Sequence, residues 1–167
     1  MSENNQLLTE ENNIMSEKVR VLYIDDEKHN LIAFKASFRR DFYVQTAESS
    51  EEGREILKNE TFDVIVTDQR MPSETGVEFL VSILNVYPDP IRILLTGYTD
   101  IEAIVDAINK GQVYQYVTKP WDYEKLKELL LRAAELSRLR VQNRQLLKDL
   151  KKANEQLEFL LRQKLLD

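Results

Sequence analysis

A short run of β-branched residues, Val64-Ile65-Val66, constrains the fold of this chain more than any other feature. The run is apolar without alternation, which is typical of a strand that is covered on both faces in a parallel sheet. Asp68 follows it, and Pro72 closes the extended segment shortly afterwards. Ligands of open α/β sheets bind beyond the carboxyl ends of the strands, so the pattern places Asp68 where the chemistry of such folds is found.

Four further apolar runs of strand length accompany this one, and amphipathic segments separate them. One such segment carries Val77, Leu80, Val81 and Leu84, an i, i+3, i+4, i+7 stripe that predicts a helix. Five strands that alternate with helices specify a doubly wound parallel α/β sheet with right-handed crossovers. The predicted strands cover residues 19–24, 43–47, 64–66, 91–95 and 113–117.

Length and composition fit one domain of ordinary size with an extension, since the chain has 167 residues, 43% of them hydrophobic and 31% charged. No apolar run approaches the ~20 residues of a membrane span, and the polar start lacks the apolar region of a signal peptide. A cytoplasmic protein without membrane contact is therefore expected. The absence of cysteine excludes disulfides and thiolate catalysis, and with His29 as the single histidine a Ser-His-Asp or Cys-His enzyme is implausible.

The net charge of −6 is distributed unevenly along the chain. Residues 1–123 hold 12 basic and 22 acidic side chains, whereas residues 124–167 hold 11 basic and 7 acidic ones. Phosphate contacts need clustered Lys and Arg, so the acidic part is not expected to bind nucleic acid directly. The basic part has the charge to do so, but we interpret it as a solvated helix face.

Polar residues with complementary chemistry follow four of the predicted strands. They are the pair Asp25 and Asp26, then Asp68, Thr96 and Lys119, and in a parallel sheet all of them lie at one edge. Three carboxylates that converge repel one another, and a hard divalent cation such as Mg²⁺ relieves this repulsion. An aspartate nucleophile, a metal, a hydroxyl and an ammonium group together are the equipment for accepting a phosphoryl group.

The same residues carry a family resemblance. Over residues 18–135 the chain resembles a response-regulator receiver domain of two-component signalling. The resemblance implies a flavodoxin-like fold with strand order 2-1-3-4-5. Four motifs in order carry it, namely Tyr23-Ile24-Asp25-Asp26-Glu27, Val66-Thr67-Asp68-Gln69-Arg70-Met71-Pro72, Leu95-Thr96-Gly97 and Tyr116-Val117-Thr118-Lys119-Pro120.

The resemblance implies that Asp68 is the phosphoacceptor and that a histidine kinase or a phosphotransfer protein is the donor. It further implies Mg²⁺ held by Asp26, Asp68 and the backbone carbonyl of Arg70, with Asp25 acting partly through water. The domain would accept and lose the phosphoryl group by its own catalysis without being a free-standing enzyme.

By the same resemblance, Thr96 would hydrogen-bond the phosphoryl oxygens and Lys119 would pair with them. Thr96 and Tyr116 would form a switch in which Tyr116 turns inward as Thr96 shifts towards the phosphate. The face made by the fourth helix, the fifth strand and the fifth helix would change as a result. The Lys119-Pro120 peptide bond is usually cis in the family.

The C-terminal sequence contains no Gly or Pro after Asp122, so one helix can run to Asp167. A heptad pattern begins at residue 136, with apolar residues at seven of eight seam positions. A single Asn at an a position favours a parallel two-stranded register, which predicts a parallel homodimer. The alternative is a lone amphipathic helix that packs on a further domain. The seam consists of Leu136, Asn143, Leu150 and Leu157 at a, and Leu139, Leu146, Ala153 and Leu160 at d.

The expected organisation is a disordered tail over residues 1–17, a receiver over 18–135, and a coiled-coil extension over 136–167 that leads to an output domain. Two other functions compete with a phosphorylated receiver. A scaffold would dimerise without phosphorylation. An aspartyl-phosphate phosphatase would place a second carboxylate two residues after Asp68, where this chain has Arg70.

Overall fold

The computed structural model describes residues 17–97 and 101–166 as five strands that alternate with five helices. All five strands are parallel, in the order β2-β1-β3-β4-β5, which confirms the predicted fold. The elements in chain order are β1 (Arg20–Ile24), α1 (Lys28–Phe38), β2 (Tyr43–Ala47), α2 (Ser50–Asn59), β3 (Val64–Asp68), α3 (Gly76–Ile83), β4 (Ile91–Thr96), α4 (Ile101–Asn109), β5 (Gln115–Thr118) and α5 (Tyr123–Leu166).

The central strands β3 and β4 are buried along their whole length, as their mainly apolar runs predict, and Arg92 of β4 is buried as well. Successive side chains of a strand point to opposite faces, and the two faces bury different helices. Val64 and Val66 contribute to a core with α1 and α5 on one face of the sheet. Ile65 contributes to a second core with α2, α3 and α4 on the other face. The sheet is therefore covered on both sides and open only at its ends.

Polar residues at the starts of two helices accept hydrogen bonds from backbone N–H groups that have no partner inside the helix. Ser49 Oγ accepts the N–H of Glu52 at 3.1 Å at the start of α2. Thr75 Oγ1 accepts the N–H of Glu78 at the start of α3. Each cap fixes where a helix leaves the loop that follows a strand.

The fifth strand begins two residues later than residue 113, where the sequence pattern placed it. Val113 is buried, but its N–H donates to the carbonyl of Ala107 and so serves the end of α4 instead of a strand ladder. Thr118 is added at the other end of the strand because it pairs with Thr96 of β4. A buried residue such as Val113 therefore looks like part of a strand in the sequence, although its N–H is bonded at the end of a helix.

Helix α5 has 44 residues and is about 65 Å long at 1.5 Å per residue. Its first turns pack on the sheet through Leu126, Leu130 and Ala133. The later residues extend away from the domain, and the apolar seam positions beyond Leu136 are exposed.

A polar contact holds α5 where it leaves the domain. Arg138 donates two hydrogen bonds to the carboxylate of Asp63, at 3.0 and 3.1 Å. Ser137 Oγ donates to the carbonyl of Asp89 at 2.7 Å, and Arg144 pairs with the Asp89 carboxylate. These residues lie at b and c positions of the heptad pattern, so the docked face is not the face of the predicted seam.

The predicted disordered tail over residues 1–17 lies outside the described residues, except for Glu17. Within the described ranges, none of the helices is long and apolar enough to cross a membrane.

Candidate functional site

Three carboxylates meet at the carboxyl ends of β1 and β3. Asp25, Asp26 and Asp68 each offer an oxygen within 4.8 Å of the others. Asp25 is fully buried and Asp68 is 9% exposed, whereas Asp26 is open to solvent. The cluster thus has a buried part, formed by Asp25 and Asp68, and a part accessible to solvent, formed by Asp26. Its hard oxygen donors suit Mg²⁺ or a similar cation.

Asp25 is held by hydrogen-bond donors from its own strand and from the start of α1. The hydroxyl of Tyr23 donates to Asp25 Oδ2 at 2.6 Å, and Asn30 Nδ2 donates to the same oxygen at 3.1 Å. The N–H of Glu27 donates to Oδ1 at 3.0 Å. Burial and the hydrogen bond to Asp25 raise the pKa of Tyr23 well above its ordinary value, so this hydroxyl stays a donor.

Lys119 brings a positive charge to the carboxylates from the end of β5. Its Nζ lies 2.7 Å from Asp68 Oδ1 and 3.5 Å from Asp25 Oδ2. Burial disfavours the ammonium, but the hydrogen bond and the charge of Asp68 outweigh it, so the pKa of Lys119 is raised above its ordinary value. The ammonium is therefore charged over the whole physiological range.

The pKa of Asp68 is raised above the usual value for an aspartate. Burial is the main cause, and the charges of Asp25 and Asp26 add to it, while Lys119 opposes the rise. One ammonium is thus not enough to compensate three carboxylates at this position. A divalent cation would supply the missing charge, so the donor set and its electrostatics both fit a metal.

Thr96 and Tyr116 lie on the side of the site formed by β4 and β5. Asp68 pairs with Leu95 across the sheet, which makes Thr96 the next residue beyond it. The Thr96 side chain is almost fully buried and its hydroxyl donates to the Gly97 carbonyl at 2.9 Å. Tyr116 is half-buried and packs against the second core.

The backbone at Lys119 completes this edge. Its N–H donates to the Thr96 carbonyl at 2.8 Å, and the Lys119-Pro120 peptide bond is cis, as the resemblance implies. Arg70, whose carbonyl is the expected metal ligand, follows Asp68 in the loop between β3 and α3.

The structure thus brings oxygens of Asp25, Asp26 and Asp68 within 4.8 Å of one another. Lys119 contacts Asp25 and Asp68, and Thr96 lies alongside. The seam residues lie elsewhere, along α5. Leu136 is half-buried against the first core, and the other seven predicted seam positions are exposed in the single chain.

Sequence reasoning missed three residues around the site, namely Tyr23, Asn30 and Gln69. Tyr23 offered a signal, because a tyrosine inside an otherwise aliphatic strand needs a partner for its hydroxyl. Gln69 is 5% exposed, and its side-chain oxygen accepts the N–H of Val77 at 3.0 Å. No sequence pattern connects Gln69 with Val77, since their contact depends on how the β3–α3 loop folds.

Comparison with known proteins assigns the chain to a family. The family model of the response regulator receiver domain matches residues 21–131, and the chain belongs to this family. It is the receiver domain of a two-component response regulator.

Curated relatives are bacterial transcriptional regulators. The chain is 37% identical to the hydrogenase transcriptional regulatory protein HoxA of Bradyrhizobium diazoefficiens, over 75% of this chain and 26% of the relative. It is 31% identical to the C4-dicarboxylate transport transcriptional regulatory protein DctD of Rhizobium meliloti, over 87% of this chain and 32% of the relative. The chain thus spans about a quarter to a third of the length of these relatives.

Solved structures share the fold. A response regulator receiver domain protein from Clostridium thermocellum matches with a TM-score of 0.68 and 32% identity, over 72% of this chain and 98% of that one. A structure described as the adenylate cyclase from Rhodopirellula baltica matches with a TM-score of 0.76 and 30% identity, over 79% of this chain and 98% of that one.

Proposed function

We propose that Asp68 accepts a phosphoryl group from a histidine kinase or a phosphotransfer protein. One observation carries the proposal: Asp68 lies within 4.8 Å of two other carboxylates and 2.7 Å from the ammonium of Lys119, at an open edge of the sheet. A carboxylate in this position can act as a nucleophile while neighbouring charges neutralise the phosphoryl oxygens.

Asp26, Asp68 and the backbone carbonyl of Arg70 would hold Mg²⁺. Bound there, the ion supplies positive charge opposite the oxygens of the transferred group. Asp25 would act partly through water, and its oxygens also accept hydrogen bonds from Tyr23, Asn30 and the N–H of Glu27. These hydrogen bonds hold the buried carboxylate in one orientation, so its position does not depend on the ion.

In the transfer step, a carboxylate oxygen of Asp68 forms a bond to phosphorus as the bond between phosphorus and the donor imidazole nitrogen breaks. The nitrogen keeps the electron pair of the broken bond. Lys119 moves from the Asp68 carboxylate to the phosphoryl oxygens, since the carboxylate charge has been used in the new bond. The negative charge of the transferred phosphoryl group is then paired with the Lys119 ammonium in the product.

The switch would follow from the new charge. A phosphoryl group on Asp68 adds strong acceptors next to Thr96, whose hydroxyl now donates to Gly97 and can turn to a phosphoryl oxygen. Space vacated by Thr96 would let Tyr116 become fully buried. The face formed by α4, β5 and the first turns of α5 would change with it.

The signal would leave through α5 as a parallel homodimeric coiled coil. Seven seam positions are exposed in the single chain, among them Leu150 and Leu157, and pairing two helices buries them. Full burial stabilises by ~1.5–3 kcal/mol for each leucine before association costs are subtracted. The two Asn143 amides face each other only in a parallel register, where they can hydrogen-bond.

An output domain beyond α5 belongs to the same proposal. The curated relatives support it, because they are named as transcriptional regulators and are three to four times as long as the matched region. The long helix would connect the receiver to that domain.

The test uses acetyl phosphate with Mg²⁺ and the complete chain. We expect one phosphoryl group per chain, no labelling of Asp68→Asn, and normal labelling of Asp106→Asn, a control on the exposed side of α4. Continuous phosphate release over many turnovers would favour a phosphatase instead. A failure to label the unaltered chain would favour a scaffold.

A further inference from the structure

Gln69, the residue after the proposed phosphoacceptor, makes three hydrogen bonds to two different parts of the chain. Its N–H donates to the Leu95 carbonyl of β4 at 3.1 Å, and its own carbonyl accepts the N–H of Gly76 at 3.0 Å. Its side-chain oxygen accepts the N–H of Val77 at 3.0 Å. With 5% of its surface exposed, Gln69 is held between β4 and the start of α3.

The two hydrogen bonds to Gly76 and Val77 join the start of the β3–α3 loop to its end, so the loop forms a closed ring. The segment leaves the sheet at Gln69 and returns to the same residue at Gly76 and Val77. The return is close, because a Cβ atom built on Gly76 would lie 2.4 Å from the carbonyl oxygen of Asp68. Only glycine allows this approach without moving the backbone. The ring therefore has little freedom at its base.

The side chain of Gln69 has a specific task at the start of α3. The first N–H groups of a helix have no partner inside it and need one from outside. Thr75 accepts the N–H of Glu78, and Gln69 accepts that of Val77. Gln69 thus acts as a second cap, placed at the far end of the loop beside the nucleophile and not immediately before the helix, where caps are normally found.

We propose that Gln69 is a positioning residue that fixes the Arg70 carbonyl for the metal. Arg70 is the first residue of the ring, so the direction of its backbone is set by the hydrogen bonds that Gln69 makes. Residues that orient a metal ligand in this way typically account for 10–100-fold in affinity. The inference rests on the proposed function, because it assumes that the Arg70 carbonyl binds Mg²⁺.

The experiment compares Gln69→Met with the complete unaltered chain. Methionine fits the buried space but offers no strong acceptor to Val77. Two measurements are made by NMR: hydrogen exchange of the Val77 amide, and the Mg²⁺ dissociation constant from amide shifts during MgCl₂ titration. We expect faster exchange at Val77 and a dissociation constant raised about tenfold. Gln115→Met, which removes an exposed amide from β5, should change neither quantity.

Two further variants protect the test against misfolding. Gln69→Asn keeps an amide but retracts its oxygen by one methylene, so we again expect faster exchange at Val77 and a raised Mg²⁺ dissociation constant. Gln69→Glu restores an acceptor oxygen and should bring Val77 exchange back towards that of the unaltered chain.

A purely structural role predicts faster exchange and lower stability with an unchanged Mg²⁺ dissociation constant, and that result would overturn the inference alone. An unaltered chain that shows no Mg²⁺-dependent shifts around Asp25, Asp26 and Asp68 would contradict the proposed function as well.

Discussion

The ammonium of Lys119 lies 2.7 Å from Asp68 Oδ1, although Asp68 ends β3 and Lys119 follows β5, and these strands are not neighbours in the sheet. Strand β4 separates them, and the Lys119 N–H donates to the carbonyl of Thr96, the last residue of β4. The ion pair therefore depends on the register of three strands. This relationship connects the stability of the sheet edge with the charge balance of the candidate site.

Removal of the Lys119 ammonium should destabilise the fold at neutral pH. Lys119→Met leaves Asp25 and Asp68 without their cation, which should lower the free energy of unfolding by roughly 1–3 kcal/mol. The raised pKa of Lys119 gives the pH dependence. The ammonium stabilises the fold fully below the unfolded lysine pKa, and this contribution is lost as pH rises through the folded value.

Urea unfolding of both proteins from pH 7 to pH 11 measures the difference. It should stay constant to about pH 10 and shrink above it. A difference that is already absent at pH 7 would contradict the ion pair.

Neutralisation of Asp68 should change the pH dependence of stability in a lower pH range than the Lys119 variant does. The folded pKa of Asp68 is raised, so its ionisation costs stability, and the cost appears as pH rises from the unfolded value through the folded one. Asp68→Asn removes the cost. Its unfolding free energy relative to the unaltered chain should therefore increase as pH rises above about 4, the unfolded value of an aspartate.

The same variant tests the metal by thermal unfolding at pH 7. Mg²⁺ should raise the melting temperature of the unaltered chain more than that of Asp68→Asn, because the variant lacks one of the proposed ligands. Equal shifts for both proteins would show that Asp68 is not a ligand.

The polar contact at the exit of α5 should contribute to domain stability. Arg138 and Asp63 are 12% and 16% exposed, and the guanidinium makes two hydrogen bonds to the carboxylate. Arg138→Met should lower the free energy of unfolding by about 1.5–3 kcal/mol. Arg140→Met removes an exposed guanidinium from the same helix and should stay within about 0.5 kcal/mol. Similar losses for both variants would show that the contact has no special role.

The proposed seam should control the oligomeric state. Leu150→Lys places a charge at the centre of the seam and should convert a dimer to a monomer at tens of micromolar, as measured by light scattering. Glu155→Lys adds the same side chain at an f position and should leave the dimer intact. A monomeric unaltered chain would contradict the dimer, and cross-links between residue 139 and residue 157 would contradict its parallel sense.

Asn143→Leu tests the register of the two helices. Leucine removes the one polar seam residue, so the dimer should become more stable while its orientation or number of chains becomes less defined. Size-exclusion chromatography with light scattering should then show more than one species. A single parallel dimer of unchanged stability would show that Asn143 does not set the register.

The sequence allowed prediction of the sheet and of the residues at its edge for a physical reason. Buried parallel strands leave uninterrupted apolar runs, and polar residues at their ends stand out against them. The contacts of Tyr23 with Asp25 and of Gln69 with Val77 were not predictable in this way. The first depends on the orientation of two side chains at the end of β1, and the second depends on where the Gln69 side chain points after the β3–α3 loop has folded.

The most direct test of the central claim identifies the residue that carries the phosphoryl group. The complete chain is treated with acetyl phosphate and Mg²⁺ and then reduced with borohydride, which converts an aspartyl phosphate to homoserine. Peptide mass spectrometry should find homoserine at position 68 and nowhere else. Reduction at Asp25 or Asp26, or an unmodified position 68 in a labelled chain, would contradict the account.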